Sequence, residues 1–219
     1  MFKKMIAAIE EEKRAAEQRV RDVLERVDDP VARQTSWKPA SSGNGGFRTH
    51  EFVMISPVRA EFWLSKGTQW LCLGMFGFGL AGLGVGGAMG AGLIPAVPGW
   101  WLGVSFGFVL AIAGAGMRWE LGRPRVFDMD ELLFWRGRKP RDRGKVDAFA
   151  TPLDEVHAVQ LLASRPRADR DSPFNYEINL VRHDGERAIV IDHQNLERIR
   201  EEGAAIAELI GVPVWDATE

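Results

Sequence analysis

Between Lys66 and Arg118 the chain carries no charged residue, an uninterrupted run of 51. About 20 apolar residues in a helix cross the hydrocarbon core of a bilayer, so this run is long enough to cross twice. Pro95 and Pro98 lie near its middle, separated only by Ala96 and Val97. Proline lacks an amide donor and stops a helix, which divides the run into two predicted helices, Trp70–Gly92 and Gly99–Trp119. With about 1.5 Å of rise per residue, each reaches roughly 30 Å, the thickness of a bilayer core. Residues 67–119 therefore read as a transmembrane helical hairpin. Tryptophans mark its expected interfaces, Trp70 and Trp119 at one and Trp100 and Trp101 at the other.

The Pro95–Pro98 turn has no lysine or arginine, whereas Arg59, Lys66, Arg118, Arg123 and Arg125 flank the opposite ends. Positive residues stay inside, so both termini are expected in the cytoplasm. No cleavable signal peptide is expected, because Glu10, Glu11 and Glu12 interrupt the apolar stretch that follows Met1. The first membrane helix then acts as the insertion signal. The single cysteine, Cys72, lies within the apolar run, which excludes an intramolecular disulfide and a paired-thiol metal site.

Glycines recur at four-residue intervals on both helices: Gly82, Gly86 and Gly90 on the first, Gly99, Gly103 and Gly107 on the second. Such ladders let backbones approach and gain dispersion energy that lipid alone does not supply. They fit packing within the hairpin, and also packing between copies, since Gly74, Gly77 and Ala81 offer further small positions. Gly77-Phe78-Gly79-Leu80-Ala81-Gly82 matches the dinucleotide-binding pattern in letters only. That pattern needs a preceding strand and a later acid, and within a membrane span it is a packing motif. Residues 67–117 hold no charged residue, which argues against an ion pathway.

Residues 1–29 form a predicted amphipathic helix, with Phe2, Ile6, Ile9, Ala16, Val20, Val23 and Val27 on one stripe and Asp28-Asp29-Pro30 as its stop. The stripe suits a short coiled coil, a helix laid on a domain surface, or a helix on lipid. Residues 30–46, ending in Ser41-Ser42-Gly43-Asn44-Gly45-Gly46, have the composition of a flexible linker. Period-two alternation then predicts strands over Phe47–Ile55 and Arg59–Ser65, the first part of a β domain spanning 47–66. After the hairpin, in residues 120–219, strands are predicted at Arg125–Asp128, Leu132–Arg136, Val156–Ser164, Tyr176–Arg182 and Ala188–Asp192. Asp184-Gly185 marks the tight turn between the last two. A final helix is predicted over Leu196–Ile210, terminated by Gly211.

Seven strands and a closing helix resemble a pleckstrin-homology-like barrel, here with the membrane hairpin inserted between its second and third strands. Residues 120–216 also resemble a group of bacterial two-helix membrane proteins of uncharacterised function. The resembling stretches are Arg123–Asp128, Leu132–Gly137, Leu153–Leu161, Tyr176–Val181, Ile191–His193 and Leu209–Asp216. The resemblance implies architecture and no catalytic motif. The expected fold class is thus membrane α+β: a helical hairpin set in a small seven-stranded barrel, preceded by an amphipathic helix.

Chemistry is sparse. His50, His157, His183 and His193 lack metal-ligand spacing, and no serine sits in a nucleophile elbow. No enzyme, cofactor or metal is expected. Asp192-His193-Gln194-Asn195 stands at a helix entrance, where Asp and Asn cap free amides. The strongest electrostatic signal is a loop in which Arg136, Arg138, Lys139, Arg141, Arg143 and Lys145 face a single acid, Asp142. Basic residues beside anionic lipid contribute about 1 kcal/mol each. The loop is a candidate contact for the inner leaflet, or a solvated loop obeying the positive-inside bias. Few interleaved aromatics and a net charge of −2 argue against nucleic acid. Two functional classes follow: a non-enzymatic membrane adaptor that recruits lipid, a protein or a second copy, and an oligomerising effector that perturbs the bilayer.

Overall fold

The computed structural model describes residues 2–40, 48–138, 150–164 and 174–218. The chain is mixed α+β, and it divides into two compact units that are both discontinuous in sequence.

The first unit gathers residues 1–48, 54–61 and 125–219. Helix α1 (Phe2–Val27) ends where Asp28 adopts a positive φ of 44°, a left-handed conformation that breaks helical geometry. Asp29 then caps the short α2 (Pro30–Gln34). Its Oδ1 accepts from Val31 N at 2.7 Å and Ala32 N at 3.4 Å, and Pro30 fills the first helical position, where no amide is needed. The stretch expected as a linker from residue 30 therefore opens with a helical turn. Its glycine-rich part, residues 41–46, lies outside the described residues.

The strands form two sheets. One has the order β1-β2-β3-β4-β5, from β1 (His50–Ser56), β2 (Arg59–Leu64), β3 (Arg125–Asp128), β4 (Leu133–Arg136) and β5 (Ala150–Pro152). The other has the order β8-β7-β6-β9, from β6 (Val156–Ser164), β7 (Asn175–Arg182), β8 (Arg187–His193) and β9 (Val214–Ala217). Neither sheet closes into a barrel. Two strands were not expected from sequence. β5 is only three residues long, and β9 follows the last helix to lie parallel on β6, with Gln160 opposite Trp215.

One face of the second sheet carries α5 (Leu196–Ile210), which starts at the Asn195 cap and stops at Gly211, with φ of 81°. Gly203 lets α5 approach closely, because a Cβ there would lie 2.7 Å from Leu161 Cδ2. The opposite face is covered by the N-terminal segment. Val23, Val31 and Ala32 pack with Ala158, Leu162, Val181, Trp215 and Ala217, and Leu24, Val27 and Trp37 seal the edge. The last turns of α1 thus use the predicted stripe on this domain's own surface.

The second unit comprises residues 49–53 and 62–124. It holds α3 (Lys66–Gly90) and α4 (Trp100–Leu121), both long and apolar enough to cross a membrane. Only 17% of the most apolar window of each is buried, and Phe78 is 77% exposed. The core helix of a water-soluble protein would hide that surface. α3 begins four residues earlier than expected, because Ser65 caps it by accepting from Thr68 N at 3.2 Å, and Gln69 Nε2 donates to Leu64 O at 2.8 Å. His50 ties the other end. Its Nε2 donates to Leu121 O at 3.0 Å, which leaves Nδ1 to accept from Thr49 Oγ1 at 2.7 Å.

Candidate functional site

The basic cluster begins at the end of a strand, where Arg136 is the last residue of β4. β4 pairs antiparallel with β3, so Arg136 stands directly opposite Arg125 and both side chains emerge on the same face. Arg136 and Arg138 are exposed, and Gly137 turns the chain between them with φ of 133°. Lys139, Arg141, Arg143 and Lys145 lie outside the described residues. Arg125, which sequence reasoning treated only as a flanking charge, is 7% exposed. Burial, with Arg136 nearby, pushes its pKa down to about 9, against a weaker pull from Asp192. Its Nε and Nη1 find no hydrogen-bond partner among the described residues.

The other face of this hairpin is closed. Val126, Leu133, Trp135 and Ala150 form an apolar cluster. The Arg59 guanidinium lies 5.7 Å from the Trp135 ring centre and pairs with Glu61 at 2.7 Å and Asp128 at 3.0 Å. The hydrogen bond to Glu61 is the main reason its pKa is raised, and burial only partly offsets it.

The glycines of the hairpin sort by what a side chain would meet. A Cβ on Gly79 would lie 2.4 Å from Ala111 N, on Gly107 2.8 Å from Gly79 O, and on Gly114 2.6 Å from Phe76 N. Gly82 faces the Gly103 carbonyl, Gly86 faces Val104, and Gly90 lies under the Trp100 ring. Trp100 is therefore folded back onto α3, whereas Trp101 is exposed. Gly103 lends its backbone to the contact, although a Cβ there would meet nothing within 4 Å. Gly99, expected in the packing ladder, instead caps α4 with φ of 81°, where only the turn requires glycine. Gly74, Gly77, Gly84 and Gly87 on α3 face open space.

Comparison with family models, curated proteins and solved structures finds no match for this chain.

All four histidines are engaged by protein groups. His50 holds Leu121 O and Thr49, as described above. His157 Nε2 meets Asp29 Oδ2 at 2.7 Å, and its Nδ1 meets His183 Nδ1 at 3.0 Å. His193 is fully buried, with Nε2 at 3.2 Å from Glu202 Oε2, while Arg48 reaches the other Glu202 oxygen at 3.2 Å. Among the described residues no group of three or more His, Cys, Asp or Glu is arranged to hold a metal ion.

One polar feature escaped the sequence. Gln160, Glu177 and Asn179 are fully buried on the sheet face beneath residues 36–40. Gln160 Nε2 donates to Ser36 O at 3.3 Å, Arg187 Nη2 donates to Lys38 O at 2.8 Å, and Ala40 N donates to Glu177 Oε1 at 3.0 Å. The signal was present as alternating polar residues in Tyr176-Glu177-Ile178-Asn179-Leu180. Such alternation ordinarily marks a solvent face.

Proposed function

We propose that this protein is a non-enzymatic adaptor of a bacterial inner membrane, held by the α3–α4 hairpin and presenting its α+β unit to the cytoplasm. The observation that carries the reading is connectivity. The apolar hairpin leaves the chain directly after β2 and returns directly before β3, and these strands are neighbours in one sheet. Anchor and sheet are thus joined without a linker, as suits a module meant to be displayed at a surface. The pleckstrin-homology-like kinship of the α+β unit belongs to this proposal, supported by two mainly antiparallel sheets and a helix near the C-terminus. The non-enzymatic character is supported by histidines committed to structural partners. Lipid attraction is assigned to the basic segment from Arg136 to Lys145.

A second reading, the oligomerising effector, draws on Gly74, Gly77 and Gly84. These glycines on α3 are not used within the hairpin, and small residues at helical spacing permit close helix contact between copies. One experiment separates the two: membrane potential in cells overproducing the protein. An adaptor leaves the potential intact, and an effector collapses it. Cytoplasm-only reporters fused at residue 1 and residue 219 test the orientation, and activity from a periplasm-only reporter at either terminus overturns it.

A further inference from the structure

The sheet face under residues 36–40 is built to hold main chain. Trp215, Gln160 and Asn179 are register partners across β9, β6 and β7 and so form one row on a single face. Leu162 and Glu177 are partners in the next row along β6 and β7. The segment crossing these rows is gripped through backbone atoms of Ser36, Lys38 and Ala40, while the side chains of all three are exposed. One side chain is used. The Trp37 ring stacks on Trp215 at 5.9 Å with an interplanar angle of 29°. Grip of this kind, by main chain with one aromatic anchor, is how extended peptides are recognised in general.

Residues 36–40 leave two polar atoms of the face unmet. Among the described residues, Asn179 Oδ1 and Trp215 Nε1, both in the first row, find no hydrogen-bond partner, although the residues are 0% and 1% exposed. Buried polar atoms left unmet are costly, and these two are complementary in kind. An acceptor waits on Asn179 and a donor on Trp215. An extended peptide offers both an N–H and a C=O along its length.

We propose that this face is a binding surface for an extended peptide segment of a partner protein carrying one aromatic side chain, and that residues 36–40 occupy it in cis until the partner displaces them. The partner's aromatic ring takes the place of Trp37 on Trp215. Its backbone takes over the bonds to Gln160, Arg187 and Glu177 and supplies an N–H to Asn179 Oδ1 and a C=O to Trp215 Nε1. The inference deepens the adaptor reading by naming its partner's chemistry. That reading has its own test in membrane potential, so a failed peptide titration with intact potential counts against this surface alone.

The test uses the full chain in detergent and a fluorescein-labelled peptide of sequence Gln-Thr-Ser-Trp-Lys-Pro-Ala, matching Gln34–Ala40. Polarisation titrations compare the wild type with Trp37→Ala, which weakens the cis occupant, and with Ala40→Pro, which removes only the N–H given to Glu177. The peptide should bind Trp37→Ala at least tenfold more tightly than the wild type, with Ala40→Pro between them. A peptide with alanine for tryptophan should bind at least tenfold more weakly. If Trp37→Ala fails to fold, as judged by its melting curve, Ala40→Pro carries the comparison. Equal binding to wild type and folded variants, absence of binding to them, or indifference to the peptide's tryptophan overturns the proposal.

Discussion

Replacing Gly79 by alanine adds one methyl group where the structure has no room for it. The new Cβ would lie 2.4 Å from Ala111 N, 2.6 Å from Gly107 O and 2.8 Å from Ala111 Cα. All three are backbone atoms, so no rotamer change relieves the clash. Ordinary contact begins near 3.4 Å, and the helices must therefore part by about 1 Å at this level. A gap of that size forfeits a quarter to a half of each neighbouring dispersion contact, and overpacking of this sort costs about 1–3 kcal/mol. Cys72 is a built-in reporter. It is the chain's single cysteine, it is 1% exposed, and its backbone carbonyl faces Gly114 in the same helix contact. Labelling by a thiol-reactive dye in detergent proceeds through opening of this contact. A loss of about 1–3 kcal/mol raises the labelling rate roughly 5- to 150-fold. Gly77→Ala is the control, since its Cβ meets nothing within 4 Å. Equal labelling of Gly79→Ala and wild type, or an equal rise in Gly77→Ala, would refute the assignment of helix faces.

The Asp29 carboxyl is held below its ordinary value. Burial alone would raise it, but hydrogen bonds from His157 and from the Val31 and Ala32 amides outweigh burial. Its stabilisation is present above the ordinary carboxylate pKa and is lost as pH falls through the lowered one. Asp29→Ala should therefore cost about 1 kcal/mol at pH 7, with melting curves of variant and wild type converging at the acid end of a pH series. Arg125→Met should leave stability unchanged or raise it by about 1 kcal/mol, because a buried cation with two donor atoms unmet among the described residues is replaced by an apolar chain. A clear loss in chemical denaturation would show that the guanidinium has a stabilising partner. In a chain where a Gly/Ser linker replaces residues 67–121, changing Arg138, Lys139, Arg141 and Arg143 to glutamine should remove about 1 kcal/mol of vesicle binding per charge. Flotation with anionic vesicles should show that difference shrinking as salt rises, and binding that ignores the substitutions would return the loop to solvent.

The parts legible in the sequence were those with local signals. α5 was expected over Leu196–Ile210 and is found there, because Asn195 caps its start and Gly211 takes the left-handed turn at its end. β3 and β6 also have the predicted bounds, and Asp184-Gly185 forms the β7–β8 turn with Gly185 at φ of 82°. The two apolar helices followed from the gap in charge. Illegible features depended on distant partners. β9 reads locally as four residues after a helix, and it becomes a strand through parallel bonds to β6. The count of strands and their closure went the same way: seven strands in a barrel were expected, whereas among the described residues nine form two open sheets. Closure is a property of long-range register, which alternation does not encode. The polar floor of Gln160, Glu177 and Asn179 went unrecognised for a related reason, since alternation says which residues share a face but not what covers it. The buried Arg125 was hidden because no local pattern distinguishes an exposed arginine from an enclosed one.

The place of the hairpin between neighbouring strands also sets a clock on the ribosome. β2 ends at Leu64 and its neighbour β3 starts at Arg125, so residues 65–124 must be made before the pair can meet. At roughly 5–20 residues per second, that interval is about 3–12 s. Throughout it, the β1–β2 hairpin has an open edge of unpaired amides and carbonyls, a surface on which other chains can pair. Synthesis of the apolar helices occupies those same seconds. Completion of the sheet therefore waits until both apolar helices have been made, and a chain stalled within them is also a chain with an unfinished sheet.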